Sequence, residues 1–432
     1  MSSPTPFDFF APCPRGLEAA LAAELAEIGA RHETAIGALR LEARAQVPGG
    51  VHFRGGWGAG MAANLHSRIA SRVLLKIAER AYRNEQDIYA LAAEQHWETW
   101  FSANETLRVD LTAIKSPLRS LEFATLRVKD AVCDRLRSMS GARPSIDTAQ
   151  PDVRVFAFLT ASDCTLYLDT SGEPLFKRGW RLDKGAAPLR ENLAAGILRV
   201  AGWSPGTPLY DPMCGSGTFL AEAAQMALGI APGIERRFGF EKLKRYDIAA
   251  WQALKVAAID AKRAARASRP DDLRIFGSDI SGDMLDKARA NLGRAGLPPI
   301  PLKQLDARAI VAPIAIPGIV LANPPYGERI AVRGRGPRGD IREREPSDGF
   351  QRAQPDEADA EFFQAFGDAL KQRFAGWRAF VLTADRKLPG QMRLRESTKT
   401  PLFNGALECR LFRFDLVAGS VKGARPERVE KL

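Results

Sequence analysis

Four short runs, each ending in a side chain that can accept hydrogen bonds, constrain this chain more than any other feature. They are Leu209-Tyr210-Asp211, the segment ending Phe276-Gly277-Ser278-Asp279, Lys303-Gln304-Leu305-Asp306, and Ile319-Val320-Leu321-Ala322-Asn323. Helix-like stretches separate them, and the strand–helix repetition predicts a doubly wound α/β sheet. Ligands of such sheets bind at the carboxyl ends of the strands. One acid at a strand end is common by chance. Four polar groups in series point to a binding crevice.

The first run continues as D-P-M-C-G-S-G-T-F-L-A-E-A-A, which reads as a strand, a tight Gly-rich turn and a helix. The turn Cys214-Gly215-Ser216-Gly217-Thr218 lets a ligand approach the backbone, because glycine has no Cβ. The following helix offers free N–H groups. The turn is not G-x-x-x-x-G-K-[ST], which disfavours a nucleoside triphosphate. Nor is it G-x-G-x-x-G with an acid about twenty residues on. Instead Asp279 ends the next expected strand, where it is placed to accept from ribose hydroxyls, and Asp306 is placed to accept from an adenine amine. Taken alone, the Gly turn also fits an ordinary strand–helix connection.

The last run ends in Asn323-Pro324-Pro325-Tyr326. Two prolines fix the backbone after a buried strand. The Asn323 side-chain oxygen and the Pro324 carbonyl can then face one exocyclic amine. Such an amine shares its lone pair with its ring and is a poor nucleophile, so two acceptors that orient it favour reaction. Tyr326 offers a face for a base, which in a helix must first leave its stack. A plain structural turn is the alternative for this motif alone.

The chain has 432 residues and a net charge of +11. That length calls for two or three domains, and the basic balance favours a polyanion such as nucleic acid. Five widely spaced cysteines with no C-x-x-C, and only four histidines, predict neither a disulfide framework nor a metal site, and suit a reducing cytoplasm. The N-terminus has neither a basic start nor a long apolar run, so no signal peptide is expected. No apolar run reaches membrane-spanning length.

Before residue 207 the pattern is mixed α+β, with helices expected over 17–28 and 123–136 and strands over 107–111, 153–159 and 165–169. A long helix is expected over 62–81, with Arg68, Arg72, Lys76 and Arg80 recurring every four residues along one face. The segment 173–189 is a basic joint containing Lys177, Arg178, Trp180 and Arg181, residue types that grip a backbone and stack a base. Residues 226–268 are expected to be mostly helical. Residues 331–359 are charged and poor in apolar side chains, which predicts a mobile loop, and 419–432 read as a loose tail.

The turn D-P-M-C-G-S-G-T and the N-P-P-Y motif resemble those of class I S-adenosylmethionine-dependent methyltransferases. The segments S-R-I-A-S-R-V-L-L, R-P-S-I-D, L-F-K-R-G-W-R, A-P-L-R-E-N-L-A-A, I-A-P-G-I-E-R-R-F-G-F and F-N-G-A-L-E-C-R-L are similar to those of the THUMP-containing RNA guanine-N2 methyltransferases. The resemblance covers about residues 7–420. It implies a ferredoxin-like module over 1–53, a THUMP RNA-binding domain over 54–171, a linker over 172–186 and a Rossmann-like methyltransferase domain over 187–418.

Carried onto this sequence, the resemblance places Asp211, Met213, Cys214, Gly215, Ser216, Gly217 and Thr218 around the methionine part of S-adenosyl-L-methionine. Asp279 and Ile280 fall at the ribose, and Asp306 and Ala307 at the adenine. Asn323, Pro324, Pro325 and Tyr326 fall at the target base, with Asn323 also reaching the cofactor. Arg68, Arg72, Lys76, Lys177, Arg178, Trp180 and Arg181 become candidate RNA contacts. The expected reaction is methylation of a guanine N2 in 23S rRNA or a ribosomal precursor particle, without metal or membrane, by a cytoplasmic monomer. Some relatives carry a second, fused methyltransferase half, and its lack here implies a single activity. The rivals are a tRNA guanine-N2 methyltransferase, an adenine-N6 methyltransferase and a non-catalytic assembly factor that binds rRNA.

Overall fold

Alternation builds the first strand: in F-D-F-F-A-P (β1, Phe7–Pro12), Phe9 and Ala11 face inward while the residues between them face out. Helix α1 (Glu18–Ile36) follows, then strands β2 (Arg40–Val47) and β3 (Gly50–Gly55) and helix α2 (Trp57–His66). Strand β4 (Leu74–Ala81), helix α3 (Glu85–Ala93), strand β5 (Leu107–Ala113), helix α4 (Leu121–Ser140) and the hairpin of β6 (Val153–Leu159) and β7 (Asp163–Asp169) come next. This computed structural model describes residues 6–36, 40–182, 189–268, 273–324 and 357–417. Contacts divide them into two compact units, the first holding residues 1–182, 190–200 and 222–271.

The first unit carries a seven-stranded sheet in the order β2-β3-β1-β4-β7-β6-β5. Its two halves meet where β1 pairs with β4 through Phe9–Leu75 and Phe10–Leu74. Phe9 stacks on Phe53 at 5.0 Å beneath α2, where Gly60 leaves room for the ring.

The helix expected over 62–81 does not form. Helix α2 stops at His66, and residues 74–81 are strand β4, paired with β7. The cause is Glu24 on α1. Its buried carboxylate accepts from Ser67 Oγ (2.6 Å), the Arg68 N–H (3.0 Å) and the Ile69 N–H (3.2 Å), and so ties off the chain just past the helix. Arg68, Arg72, Lys76 and Arg80 therefore share no helix face. The segment 226–268 is also less helical than expected: between Ala227 and Ile248 it is loop, with one short turn at Gly239–Lys242.

Several of these cations are buried. Arg68 is 8 % exposed, and its guanidinium donates to Glu222 Oε2 (3.1 Å), Gln225 and the Ile230 carbonyl. Arg178 reaches the other oxygen of the same carboxylate at 3.1 Å and the Arg68 and Leu175 carbonyls at 2.6 Å. Arg72 is bound by Asp169 and the Gly172 carbonyl, and Arg181 by Glu191 at 2.8 Å. Trp180 is 5 % exposed. These side chains hold the first unit together, and their expected role as RNA contacts is corrected on that ground. Lys76 and Lys177 reach solvent but pair with Glu79 and Glu173.

After helix α5 (Glu191–Val200) the sequence enters the second sheet through β8 (Leu209–Asp211) and helix α6 (Thr218–Ala227), with α7 at Ile248–Ser268. Then come β9 (Ile275–Asp279), α8 (Gly282–Arg294), β10 (Leu302–Gln304), β11 (Ile319–Ala322), α9 (Glu357–Arg373), β12 (Arg378–Thr383), a short helix α10 (Leu388–Gln391), β13 (Thr398–Asn404) and β14 (Leu407–Asp415). The order is β10-β9-β8-β11-β12-β14-β13. The pairs from β10 to β12 are parallel, and β14 is antiparallel to both neighbours. This is the expected doubly wound sheet, in which β8 and β11 flank the point where strand order reverses. Its strands are buried on both faces, as β11 (I-V-L-A) shows. Leu370, Phe366, Phe374 and Trp377 pack against Tyr210, Val320 and Val381 on one of them. The expected charged loop falls outside the described residues up to 356; α9 begins at Glu357. The expected tail at 419–432 also lies outside them.

Glu222 is fully buried between two arginines. Its removal leaves two buried cations without a counter-charge, which costs about 3–5 kcal/mol. Glu222→Ala is therefore expected to lower the urea midpoint of the first unit sharply, as followed by tryptophan fluorescence.

Candidate functional site

The second unit places its acceptors at one edge of the sheet. Parallel pairing sets Asp211 beside Gly277 on β9, two residues before Asp279. On the other side β8 pairs with β11, whose next residue is Asn323. Asp306 follows β10 and caps a short turn at Ala307–Ala309.

The Gly turn is held from β9. The Cys214 N–H donates to the Ser278 carbonyl (2.9 Å), and the Gly215 N–H to Asp279 Oδ2 (2.9 Å). Asp279 Oδ1 accepts from the Ser281 N–H at 2.9 Å, which fixes the start of α8 as well. Gly215 and Gly217 have φ of +51° and +82°, values that favour glycine. A Cβ on Gly217 would also lie 3.3 Å from the Ala288 Cβ on α8. Asn291, buried on α8, donates to the Ser216 carbonyl at 3.0 Å. Behind the turn, the Tyr210 hydroxyl and Ser278 Oγ are 2.7 Å apart. Tyr210, Ser278, Ser281 and Asn291 were missed as supports of the turn. The signal for Asn291 is an amide among the apolar positions of a helix.

Asp211 is 2 % exposed, and its Oδ1 accepts from the Met213 N–H at 3.2 Å. Burial pushes its carboxyl well above the usual carboxylate range; that one hydrogen bond opposes the shift and the nearby Asp279 charge adds to it. Burial likewise pushes the Cys214 thiol well up and the Tyr210 phenol to about 12. Asp306 shifts the other way. Hydrogen bonds from Arg308, whose side chain lies 2.6 Å away, hold it below the usual range. Ile280 is 62 % exposed beside Asp279, and Ala307 is buried.

Asn323 Oδ1 is buried and has no hydrogen-bond partner among the described residues. A buried acceptor left unpaired costs about 1–3 kcal/mol, so its persistence marks a place where a donor belongs. Pro324 is buried next to it. Pro325 and Tyr326 lie outside the described residues. Thr218 begins α6 at the end of the Gly turn, and Met213 is half-buried before it. Among the described residues, no three of His, Cys, Asp or Glu are grouped to hold a metal. No described helix is long and apolar enough to cross a membrane. All five cysteines are buried free thiols.

A strand-order reversal flanked by Asp211 and Asn323, with a Gly turn held by Asp279, defines a class I methyltransferase dependent on S-adenosylmethionine. Profiles of three domains match in series: the "RlmL ferredoxin-like domain" at residues 8–74, the "THUMP domain" at 82–169 and the "RMKL-like, methyltransferase domain" at 178–337. A Synechocystis protein named as an RNA methyltransferase is 35 % identical over 96 % of this chain and 98 % of its own length. The ribosomal RNA large subunit methyltransferase K/L of Aeromonas hydrophila is 37 % identical over 96 % of this chain; the chain spans 55 % of that protein. Among solved structures, SMU.472, a methyltransferase complexed with SAH, aligns with a TM-score of 0.78 and 26 % identity, covering 97 % of this chain and all of that one. A Listeria monocytogenes protein described as an N6-adenine-specific DNA methylase aligns at 0.77 and 27 % identity over 95 % of this chain and 97 % of its own. The chain belongs to the THUMP-containing, RlmKL-like family of methyltransferases.

The raised Asp211 carboxyl fixes the sign of a pH effect. A group protonated more readily in the folded state adds stability below its unfolded value, and that stability is lost as pH rises through its folded value. Asp211→Asn keeps the acceptor for the Met213 N–H and removes the titration. The thermal midpoint of the ligand-free variant should exceed that of the parent at pH 8, and the gap should shrink toward pH 4.

Proposed function

We propose that this chain methylates the N2 amine of a guanine in large-subunit ribosomal RNA. The observation that carries the chemistry is the buried, unpaired Asn323 Oδ1 at the point where strand order reverses. A planar exocyclic amine is the donor this acceptor suits. In the proposed site Asn323 Oδ1 takes one N–H of the amine and the Pro324 carbonyl takes the other, which leaves the lone pair free to one side of the base. Tyr326 supplies the stacking face. The choice of ribosomal RNA is supported by the names of the K/L relatives and by the THUMP profile.

The site fits the cofactor. Gly215 and Gly217 leave the turn open to close approach, and the exposed Ile280 offers an apolar cover beside Asp279. We assign Asp279 and Ile280 to the ribose, Asp306 and Ala307 to the adenine, and Asp211 to Thr218 to the methionine end. Among the described residues Asp211 has no cationic hydrogen-bond partner, and S-adenosylmethionine brings both an ammonium and a sulfonium. When bound, the cofactor supplies an electrophilic methyl group. Asp279 already accepts from Gly215 and Ser281. A ligand hydroxyl at its carboxylate therefore joins a group whose orientation is fixed before binding.

Adenine-N6 transfer is the second reading, because an adenine amine suits the same two acceptors and the Listeria relative is described by that chemistry. Two variants separate binding from chemistry. Asn323→Ala should abolish methyl transfer while SAH affinity stays within about twofold, because its contact is to the amine. Asp279→Ala should weaken SAH binding in calorimetry by roughly 10–100-fold, the worth of a charged hydrogen bond. Equal loss of both properties in Asn323→Ala rejects its role, and unchanged SAH affinity in Asp279→Ala rejects the ribose assignment. Nucleoside mass spectrometry of 16S, 23S and transfer RNA from a deletion strain tests the substrate. Loss of N2-methylguanine from 23S RNA alone is expected; loss of N6-methyladenine, or no change, overturns the proposal.

A further inference from the structure

Burial takes Arg68 and Arg178, and internal ion pairing takes Arg72 and Arg181, away from an RNA surface, so the cations that remain available in the first unit become informative. Several of them are neutralised by acidic partners: Arg80 with Glu94, Arg135 with Glu98, Arg137 with Asp134 and Arg143 with Asp130. Arg83, Lys115, Arg119 and Arg127 form no ion pair with any described carboxylate. All four lie at one end of the sheet. There β4 passes into α3, and β5, the last strand of the sheet, passes into α4.

That end is rigidly built. The Tyr82 hydroxyl lies 2.7 Å from both Ser116 Oγ and the Thr160 carbonyl, joining three connections at one point. The Ile114 N–H donates to the Leu159 carbonyl at 2.8 Å. Asn84 caps α3 and Ser120 caps α4. Arg127 donates to Gln86 Oε1 at 2.7 Å and lies 4.2 Å over the Tyr89 ring, so α4 is tied to α3. Lys115 has a φ of +58°, a costly value for a residue with a Cβ.

Around these cations the surface is apolar. Ile114 is 58 % exposed, Phe123 51 %, Leu126 45 % and Leu121 40 %. Phe123, Leu126 and Arg127 share one side of α4 by their spacing. Large apolar side chains grouped in solvent mark an interaction surface. The acids at this end are Glu122 in the first turn of α4 and Glu85 and Asp87 in the first turn of α3, and none of them forms an ion pair with the four cations. Unpaired cations beside an open aromatic ring suit a phosphate backbone with an unstacked base.

We infer that this end of the THUMP sheet is an RNA-docking face, on which Arg83, Lys115, Arg119 and Arg127 meet phosphates and Phe123 stacks an unpaired base. The inference rests on the proposed RNA substrate. It places the contact away from the basic side chains that the sequence singles out.

The test uses the full chain and unmethylated 23S rRNA fragments from the deletion strain, with filter binding between 50 and 200 mM salt. Lys115→Ala with Arg119→Ala should flatten the slope of log affinity against log salt by about 1.4–1.8, for two phosphate contacts. Phe123→Ala should weaken binding by about 5–150-fold, and Phe123→Trp should restore it. SAH affinity and the melting midpoint should be unchanged in each variant. Parent-like affinity and slope in both the Ala variants overturn this face as the dock. No salt-dependent RNA binding by the parent chain overturns the RNA substrate itself. Equal gain or loss with a lysate protein and no change with RNA assigns the face to a protein partner and rejects the inference.

Discussion

Parallel pairing of β8 with β9 on one side and β11 on the other is the constraint on which the second unit depends. It sets three strand ends at one edge of the sheet and brings Asp211, Asp279 and Asn323 there. The Gly turn cannot hold its shape alone, because its glycines add no side-chain contacts. Its shape comes from neighbours: Ser278 and Asp279 on β9, and Asn291 on α8. The Gly turn is thus a product of the sheet and the next helix more than of its own sequence.

In the first unit, charge does structural work. One buried carboxylate, Glu24, ends α2 by accepting from three successive donors. Another, Glu222, is shared by two buried arginines, which also donate to backbone carbonyls. Buried ion pairs are weak sources of stability compared with apolar packing, but breaking one is costly. Their value here is geometric: a guanidinium that reaches three partners fixes each of them in direction as well as distance.

This explains what the sequence made legible and what it hid. Strands could be read from alternation and turn residues, and β6 and β11 fall at the expected residues. The helix expected over 62–81 failed because Arg68, Arg72, Lys76 and Arg80 recur at a helical spacing for unrelated reasons. Two of them answer distant acids, Glu222 and Asp169, and two lie on a strand. Partners more than ninety residues away leave no local trace. The same limit hid Asn291 and Glu24, whose roles exist only once α8 and α1 have packed.

The site itself carries two costs that a bound ligand would relieve. Asp211 is an acid buried with one backbone donor and a second acid close by. Asn323 Oδ1 is an acceptor with no donor among the described residues. Neither makes sense as packing, since an apolar side chain of the same size would cost less in either place. Both make sense if a cation arrives at the first and an amine at the second. The two costs differ in kind. The first is relieved by charge and so selects for a positive cofactor, whatever base follows. The second is relieved by a planar N–H donor and selects among bases only by shape. On this account cofactor affinity resides in the second unit, while the choice of RNA must come from surfaces such as the end of the THUMP sheet.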